Sequence, residues 1–354
     1  MATPMVSVVM SVFNGQRFLR EAVESILQQS LREFEFIIVD DGSTDQSAAI
    51  LDSYQAEDPR VRVYHKENSG LIESLNQGCR LAQSKYIARM DADDIAHQDR
   101  LKWQVAFMDA HPEIGVLGGA VEWIDASGKS LGTHRYPAED QQIKTTLLEG
   151  SALWHPTVVL RREAFVLAGG YRSVVVDAED YDLWLRIADR FQLANLEAVV
   201  LKYRIHPAQV SIRKIAQQTL SMLGAQVAGS SRRNGLPDPL SSVKAITCEV
   251  LAVLGVTKAR QQNRLASYSR DWVRNMYEAG EYSAALQAAL DILRSDLEYA
   301  DRKVIADLYL IVAKLFWKQK RFAKSLLAIG RAIIMWPAVA ARLPQAAFRR
   351  LRPT

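Results

Sequence analysis

Residues 86–94 read "YIARMDADD". A short apolar run ends at Met90, and three acids, Asp91, Asp93 and Asp94, follow at once. A strand that stops this way puts charge at its carboxyl end. In an open parallel sheet that end is the ligand-binding rim. Crowded carboxylates repel one another, so a cation or a dipole must stand nearby. Hard oxygen donors suit Mg2+ or Mn2+, which take one or two protein carboxylates together with a ligand's phosphates. The same acids also suit a helix N-terminus, with "DIAHQDRL" (94–101) as the helix. The cluster alone leaves both readings open.

The pattern repeats upstream. "MVSVVMSV" (5–12) reads as a buried strand that runs into Phe13 and Asn14, and "FEFIIV" (34–39) runs into Asp40 and Asp41. Between them, residues 18–29 set Phe18, Val23, Ile26 and Leu27 on one helical face. Ser43 and Gln46 have capping-box spacing for a helix through Tyr54. "VRVYH" (61–65) is a third strand, a helix is expected over 71–83, and 86–90 is a fourth strand. Strands alternating with helices imply right-handed crossovers and a mostly parallel sheet. Further on, 114–124 reads as a strand or strand pair, and 155–172 as strand, short helix and glycine turn. Residues 179–191 read as a helix with Leu183, Trp184, Ile187 and Ala188 inward, and 197–206 as a late strand.

The expected organisation is therefore a Rossmann-like α/β domain over 1–212, then an all-helical region over 213–354. Within the latter, "EAGEYSAAL" (278–286) and "KQKRFAKSL" (318–326) each follow a helix containing Trp, Trp272 or Trp317. This pairing predicts helical hairpins loosely like tetratricopeptide repeats, with an irregular bundle as the alternative.

Charge divides the same way. Residues 1–210 hold 21 Lys and Arg against 30 Asp and Glu, whereas 211–354 hold 23 against 10. Lys314, Lys318, Lys320, Arg321, Lys324 and Arg331 crowd one stretch, and "ARLPQAAFRRLRPT" ends the chain. Such a surface suits anionic lipid, at roughly 1 kcal/mol per basic residue. It equally suits an ordinary solvated helix face. No nucleic-acid recognition motif accompanies the charge, so no nucleic acid is expected as a partner. The two cysteines, Cys79 and Cys248, give neither a disulfide framework nor a thiolate zinc site. The start of the chain lacks a basic signal-peptide region, and no apolar run approaches the roughly 18 residues of a membrane span. A cytoplasmic protein is expected, with peripheral attachment to the inner membrane face as an addition. A Gly-x-Gly-x-x-Gly turn after the first strand and a Gly-Lys-Ser/Thr loop are both missing, so dinucleotide chemistry and P-loop hydrolysis have no support.

Three segments together carry a family resemblance. They are "VSVVMSVFNGQRFLREAVESILQQSLREFEFIIVDDGSTDQS" (6–47), "NSGLIESLNQGCRLAQSKYIARMDADDIAHQDRL" (68–101) and "AEDYDLWLRI" (178–187). In this order and spacing they resemble family 2 glycosyltransferases over about residues 5–210. The resemblance implies the GT-A fold and transfer of a sugar from a nucleotide-sugar donor, with UDP as the default nucleotide, inversion at the anomeric carbon, and Mn2+ or Mg2+ as cofactor. It implies that Ser11 and Phe13 line the nucleotide pocket, that Asp41 with Asp40 reads the uracil edge, and that Asp91 contacts ribose or phosphate. Asp93 would hold the metal, with His206 as a second candidate ligand. Asp180 would be the general base, with Glu179 and Asp182 as competitors for that role, and Glu179 would shape the acceptor site. Arg204 is a candidate diphosphate contact, Trp154 is a sugar-stacking or core residue, and Asp94 is expected as a helix cap. Processive relatives carry transmembrane helices and a Gln-x-x-Arg-Trp motif. Neither is found here, so single addition to a saccharide or lipid-linked acceptor is expected, in bacterial surface polysaccharide or lipopolysaccharide synthesis. The competing reading is a catalytically inactive GT-A scaffold carrying a helical interaction module.

Overall fold

A computed structural model describes residues 4–206 and 212–342. The chain divides into two compact units, 1–204 with 224–246, and 205–223 with 247–354.

The first unit is built on one mixed sheet. Strands β1 (Val6–Val12), β2 (Phe34–Asp40), β3 (Val61–His65) and β4 (Tyr86–Met90) alternate with helices α1 (Leu19–Leu27), α2 (Ser47–Glu57) and α3 (Leu71–Leu81). They pair in parallel in the order β3-β2-β1-β4. Every residue of β2 and β4 is buried. A sheet covered on both faces has no polar face to alternate with, which is why these segments read as continuous apolar runs. Packing is tightest where α3 crosses β1: a Cβ on Gly78 would stand 2.5 Å from Val9 Cγ1.

Beyond β4 the sheet stops being parallel. After β5 (Ile95–Ala96) and α4 (Arg100–Ala110) come β6 (Ile114–Ile124), β7 (Ser130–His134), α5 (Asp140–Leu147), β8 (Val159–Arg161), α6 (Arg162–Ala168), α7 (Glu179–Ala188) and β9 (Gln192–Arg204). The order continues β4-β8-β6-β9-β5, with β7 on β6. β8 is antiparallel to both β4 and β6, while β6 and β9 run parallel. Sequence reasoning led to a mostly parallel sheet. The three-residue β8 is too short for a periodic signal, yet its insertion makes the sheet mixed.

The helix expected after "DDGS" begins at Ser47, and Ser43 does not cap it. Instead Ser43 Oγ accepts the Asn14 N–H at 3.0 Å, and Gln46 N–H donates to Gln16 Oε1 at 3.0 Å. The capping-box residues bind the loop after β1 instead of each other. Residues 224–246, beyond the expected break at 212, also belong to this unit. Gly229 lies against Leu185 of α7, and Arg232 bonds Asp189 and Asp238.

The second unit is helical. α8 (Ile212–Arg233) is divided between the units at residue 224. α9 (Cys248–Val253), α10 (Lys258–Glu278), α11 (Tyr282–Arg294), α12 (Arg302–Lys318) and α13 (Phe322–Met335) follow. The two related segments are the α10–α11 and α12–α13 turns. Each turn has a left-handed residue, Gly280 or Lys320. Each also repeats the same bonds: Gly280 N–H to Tyr277 O and Glu281 N–H to Met276 O, against Lys320 N–H to Trp317 O and Arg321 N–H to Phe316 O. The repetition is thus structural.

Candidate active site

The strand order β3-β2-β1-β4 reverses direction between β1 and β4, the place where open α/β sheets bind ligands. Val12 is in register with Asp40, and Met10 with Met90. The residues just past these strands, Phe13, Asp41 and Asp91, therefore leave the sheet at one rim.

On the β2 side the acids are saturated. Asp40 Oδ1 accepts the Ser43 N–H at 3.1 Å, and its Oδ2 lies 2.8 Å from His65 Nδ1. Asp41 accepts the N–H groups of Ser69 and Gly70, both at 2.9 Å, and pairs with Lys66. Burial pushes the Asp41 carboxyl up, but Lys66, Ser69, Ser74 and Gly70 outweigh it and hold it below the usual range. Both acids are buried. Gly42 completes this turn at φ 76°, and a Cβ there would stand 2.8 Å from the Asn68 amide nitrogen. Asn14, at φ 52°, accepts the Thr44 N–H at 2.8 Å and joins this loop to the one after β1. Phe13 beside it is 54% exposed, and Ser11 is half-buried.

On the β4 side the acids are under-satisfied. Asp91, Asp93 and Asp94 each offer a carboxylate oxygen within 4.8 Å of the others. Asp94 caps no helix. Its Oδ1 accepts the Arg204 N–H at 2.8 Å, its Oδ2 is buried with no hydrogen-bond partner among the described residues, and the next helix starts only at Arg100. β5, unseen in sequence, separates Asp94 from that helix. Burial together with the charges of Asp93 and Asp91 pushes the Asp94 carboxyl well up. Asp91 is also pushed up by burial, against the opposing pull of Arg89. Arg204 is buried and turned inward, giving its Nε to Asp93 O at 2.8 Å and its Nη2 to Glu21 at 2.5 Å. A guanidinium so occupied does not reach out to a diphosphate.

The α7 acids divide sharply. Asp182 is fully buried and held by two arginines: Arg172 through Nε at 2.9 Å, and Arg186 through Nη2 at 2.8 Å. It is therefore no competitor for a base role. Glu179 and Asp180 form no ion pair among the described residues. Burial, then the neighbouring Asp180 charge, raises Glu179 to about 8. Burial raises Asp180 to about 6, although the Tyr181 N–H and Arg89 pull the other way.

Arg89 is the residue that sequence reasoning missed. It is 2% exposed, and its Nη2 donates to Asp91 Oδ1 at 2.5 Å. Its charge acts on Asp91, Glu179 and Asp180 together, so one buried cation links the β4 rim to the start of α7. Desolvation, then the Arg89 charge, pushes the half-buried His155 imidazole well down; His155 Nε2 lies 2.8 Å from Tyr171 Oη. Arg100, wholly buried, gives its Nη2 to Arg89 O at 2.7 Å and fixes the strand end. An arginine inside an apolar run, "YIARM", was the available signal. Trp184 is fully buried as expected, and Trp154 sits half-buried among Tyr136, Tyr203 and Trp123. His206 is buried two residues past β9 and belongs to the second unit.

A switch-point rim carrying a cluster of acids, beside a second acid pair on a helix, is the arrangement that the resemblance to sugar-transferring enzymes of the GT-A class implies. Glycosyl transferase family 2 matches residues 7–166. The chain is 36% identical over 206 residues to the putative glycosyltransferase EpsE of Bacillus subtilis, covering 57% of this chain and 73% of that one. It is 33% identical over 214 residues to the amylovoran biosynthesis glycosyltransferase AmsE of Erwinia amylovora, covering 59% and 80%. The chain belongs to family 2 of the glycosyltransferases. The fold is shared with the mannosyltransferase PcManGT of Pyrobaculum calidifontis, solved with GDP-Man and Mn2+, at a TM-score of 0.52 and 17% identity over 94% of this chain and 88% of that one.

Proposed function

We propose that this glycosyltransferase moves one sugar, with inversion, from a nucleoside-diphosphate donor to a saccharide or lipid-linked acceptor. UDP is the proposed nucleotide. The pair Glu179–Asp180 carries the reading: two buried acids that form no ion pair among the described residues, within electrostatic reach of the Arg89 that pairs with Asp91. Inversion needs one base to take the acceptor hydroxyl's proton on the face opposite the leaving group. Asp180, raised to about 6, is ionised at neutral pH yet basic enough to accept a proton. Glu179, raised to about 8, is largely protonated there and can donate a hydrogen bond to the acceptor.

Asp91, Asp93 and the orphaned Asp94 Oδ2 fit a divalent cation, since all are hard oxygens in one cluster. Asp93 is the proposed principal ligand of Mn2+ or Mg2+. When bound, the cation stabilises charge on the departing diphosphate as a Lewis acid. We place the nucleotide against exposed Phe13 and Ser11, the aromatic face supporting a base or ribose. Asp40 and Asp41 act on the nucleotide through the loops they hold, because their oxygens are already engaged. This activity is assigned to the α/β unit, whose catalytic portion lies within the expected 1–212 and which also takes in residues 224–246. AmsE, with biosynthesis in its name, supports a role in polysaccharide assembly.

The test is release of nucleoside diphosphate from a panel of UDP-, GDP- and dTDP-sugars with Mn2+, Mg2+ or EDTA. Metal-dependent release from one donor, abolished in Asp93→Ala, is expected. No release and no calorimetric nucleotide binding in the presence of metal would overturn the reading.

A further inference from the structure

We infer that the outward side of α13 is a docking surface for an anionic lipid bilayer. The inference is independent of the transferase reading. α13 packs through Ser325, Ala328 and Ala332, and Ser325 Oγ donates to Ala313 O on α12 at 2.8 Å. A residue advances about 100° around a helix, so away from the packed side stand Phe322 and Leu326 toward one flank and Leu327 and Ile334 nearly opposite. These are 49%, 36%, 60% and 80% exposed. An outward helix side is normally polar; here it is aliphatic and aromatic. Trp317, 47% exposed, meets the Phe322 ring edge-on at 4.8 Å and extends the patch.

Cations surround it. Lys324 and Arg331 flank the apolar strip on α13, and Lys318, Lys320 and Arg321 lie at the turn before it. From Leu308 to Arg342 the sequence holds seven Lys and Arg and no Asp or Glu. Among the described residues none of these five cations forms an ion pair. Several lie over rings instead: Arg321 is 5.0 Å from Phe316, Lys318 is 5.7 Å from Tyr282, and Arg331 is 5.9 Å from Tyr309. Their charged ends thus lie against aromatic faces beside the apolar strip, and long flexible stems of this kind let such charges reach the headgroups at a membrane interface.

The pairing of chemistries selects the occupant. A second copy of this chain would bring like charges together around the apolar strip. Nucleic acid offers phosphates and bases that stack on rings, but nothing that matches the aliphatic Leu326, Leu327 and Ile334. An anionic bilayer offers both: headgroup charge for the rim and an acyl boundary for the strip. Among the described residues no helix is long and apolar enough to cross a membrane, so the contact is interfacial. The terminal basic segment expected to contribute, beyond Arg342, lies outside the described residues.

The experiment is co-sedimentation of the full chain with vesicles of phosphatidylcholine, alone or with about a third phosphatidylglycerol. Roughly tenfold or stronger binding to the anionic vesicles is expected, falling with salt, together with a blue shift of the tryptophan emission. The double variant Leu327→Glu/Ile334→Glu changes only exposed positions, so it should keep the wild-type melt and donor hydrolysis but lose vesicle binding. If that variant melts early, Lys320→Glu/Lys324→Glu tests the charged half and should likewise lose binding. Three results would each overturn the inference. They are equal pelleting with both vesicle types, undiminished binding by a folded variant, and a concentration-dependent dimer that the same substitutions dissolve.

Discussion

Two groups of acids stand at one rim of the sheet, at the ends of the strands on either side of β1, and they behave in opposite ways. Asp40 and Asp41, after β2, are fully engaged by backbone N–H groups, His65 and Lys66, and Asp41 is held below the usual carboxylate range. Asp91 and Asp94, after β4, share a cluster with Asp93 in which one buried oxygen has no partner among the described residues, and both are pushed upward. The α7 pair falls with the second group. A saturated carboxylate stabilises the loop that saturates it. An unsaturated buried one is costly to keep charged and repays that cost only when substrate or cation arrives. Residue type is the same in both groups; the donor supply differs.

The sharpest break of this contrast is Asp180→Asn. Removing a general base lowers turnover by about 10²–10⁴-fold, whereas nucleotide binding measured by calorimetry should stay near wild type. Unchanged transfer would move the base role away from α7. In the wild type the acidic limb of kcat/KM should fall near pH 6, because Asp180 must lose its proton before it can act. Arg89→Gln comes next in size. It leaves Asp91 without its buried cation, a loss of about 3–5 kcal/mol by analogy with broken buried pairs. Arg89 lowers both Asp180 and Glu179, so the acidic limb should move to higher pH in any folded fraction. A limb that stays in place would mean the guanidinium does not couple the two acid groups.

The contrast also marks what the sequence discloses. The strands β1 to β4 are legible because each is a continuous apolar run with a polar stop, and the rim follows from topology. The acids themselves are legible as residue types. Their donors are not, since Ser69, Gly70 and Lys66 reach Asp41 across more than twenty positions, and Arg204 reaches Asp94 across 110. The capping-box reading of Ser43 and Gln46 fails for the same reason: the loop after β1 competes for both groups. The mixed half of the sheet hides behind β8, whose three residues give no period to read. Arg89 is visible as a charged residue in an apolar run, but its role exists only once α7 is folded beside it.

Glu179 tests the energetic side. Its pKa rises from 4.5 to about 8 on folding. Between those values the folded state holds a proton that the unfolded state has released, so stability falls as pH rises through this window. Without metal or substrate, the chain should melt at a lower temperature at pH 8 than at pH 5.5. Glu179→Gln, which cannot ionise, should flatten that slope and gain stability at the alkaline end. A slope as steep as the wild type's would place the excess proton elsewhere.

Asp41→Asn is the smallest change and the control for all of these. The amide keeps the shape but replaces one acceptor oxygen with a donor. Either the Ser69 or the Gly70 N–H then faces an NH2, and Lys66 loses its counter-charge. Leaving one buried donor unsatisfied costs about 1–3 kcal/mol, to be read as a lower melting temperature and faster proteolysis of the 66–70 loop. The carboxylate is already below the usual range, so its removal takes away a group that is charged throughout the working range. The pH limb near 6 should therefore hold its position while donor KM rises as the loop loosens. If Asp41→Asn instead left stability untouched and abolished nucleotide binding, the saturated acid would itself be a ligand contact, and the division between the two strand ends would fail.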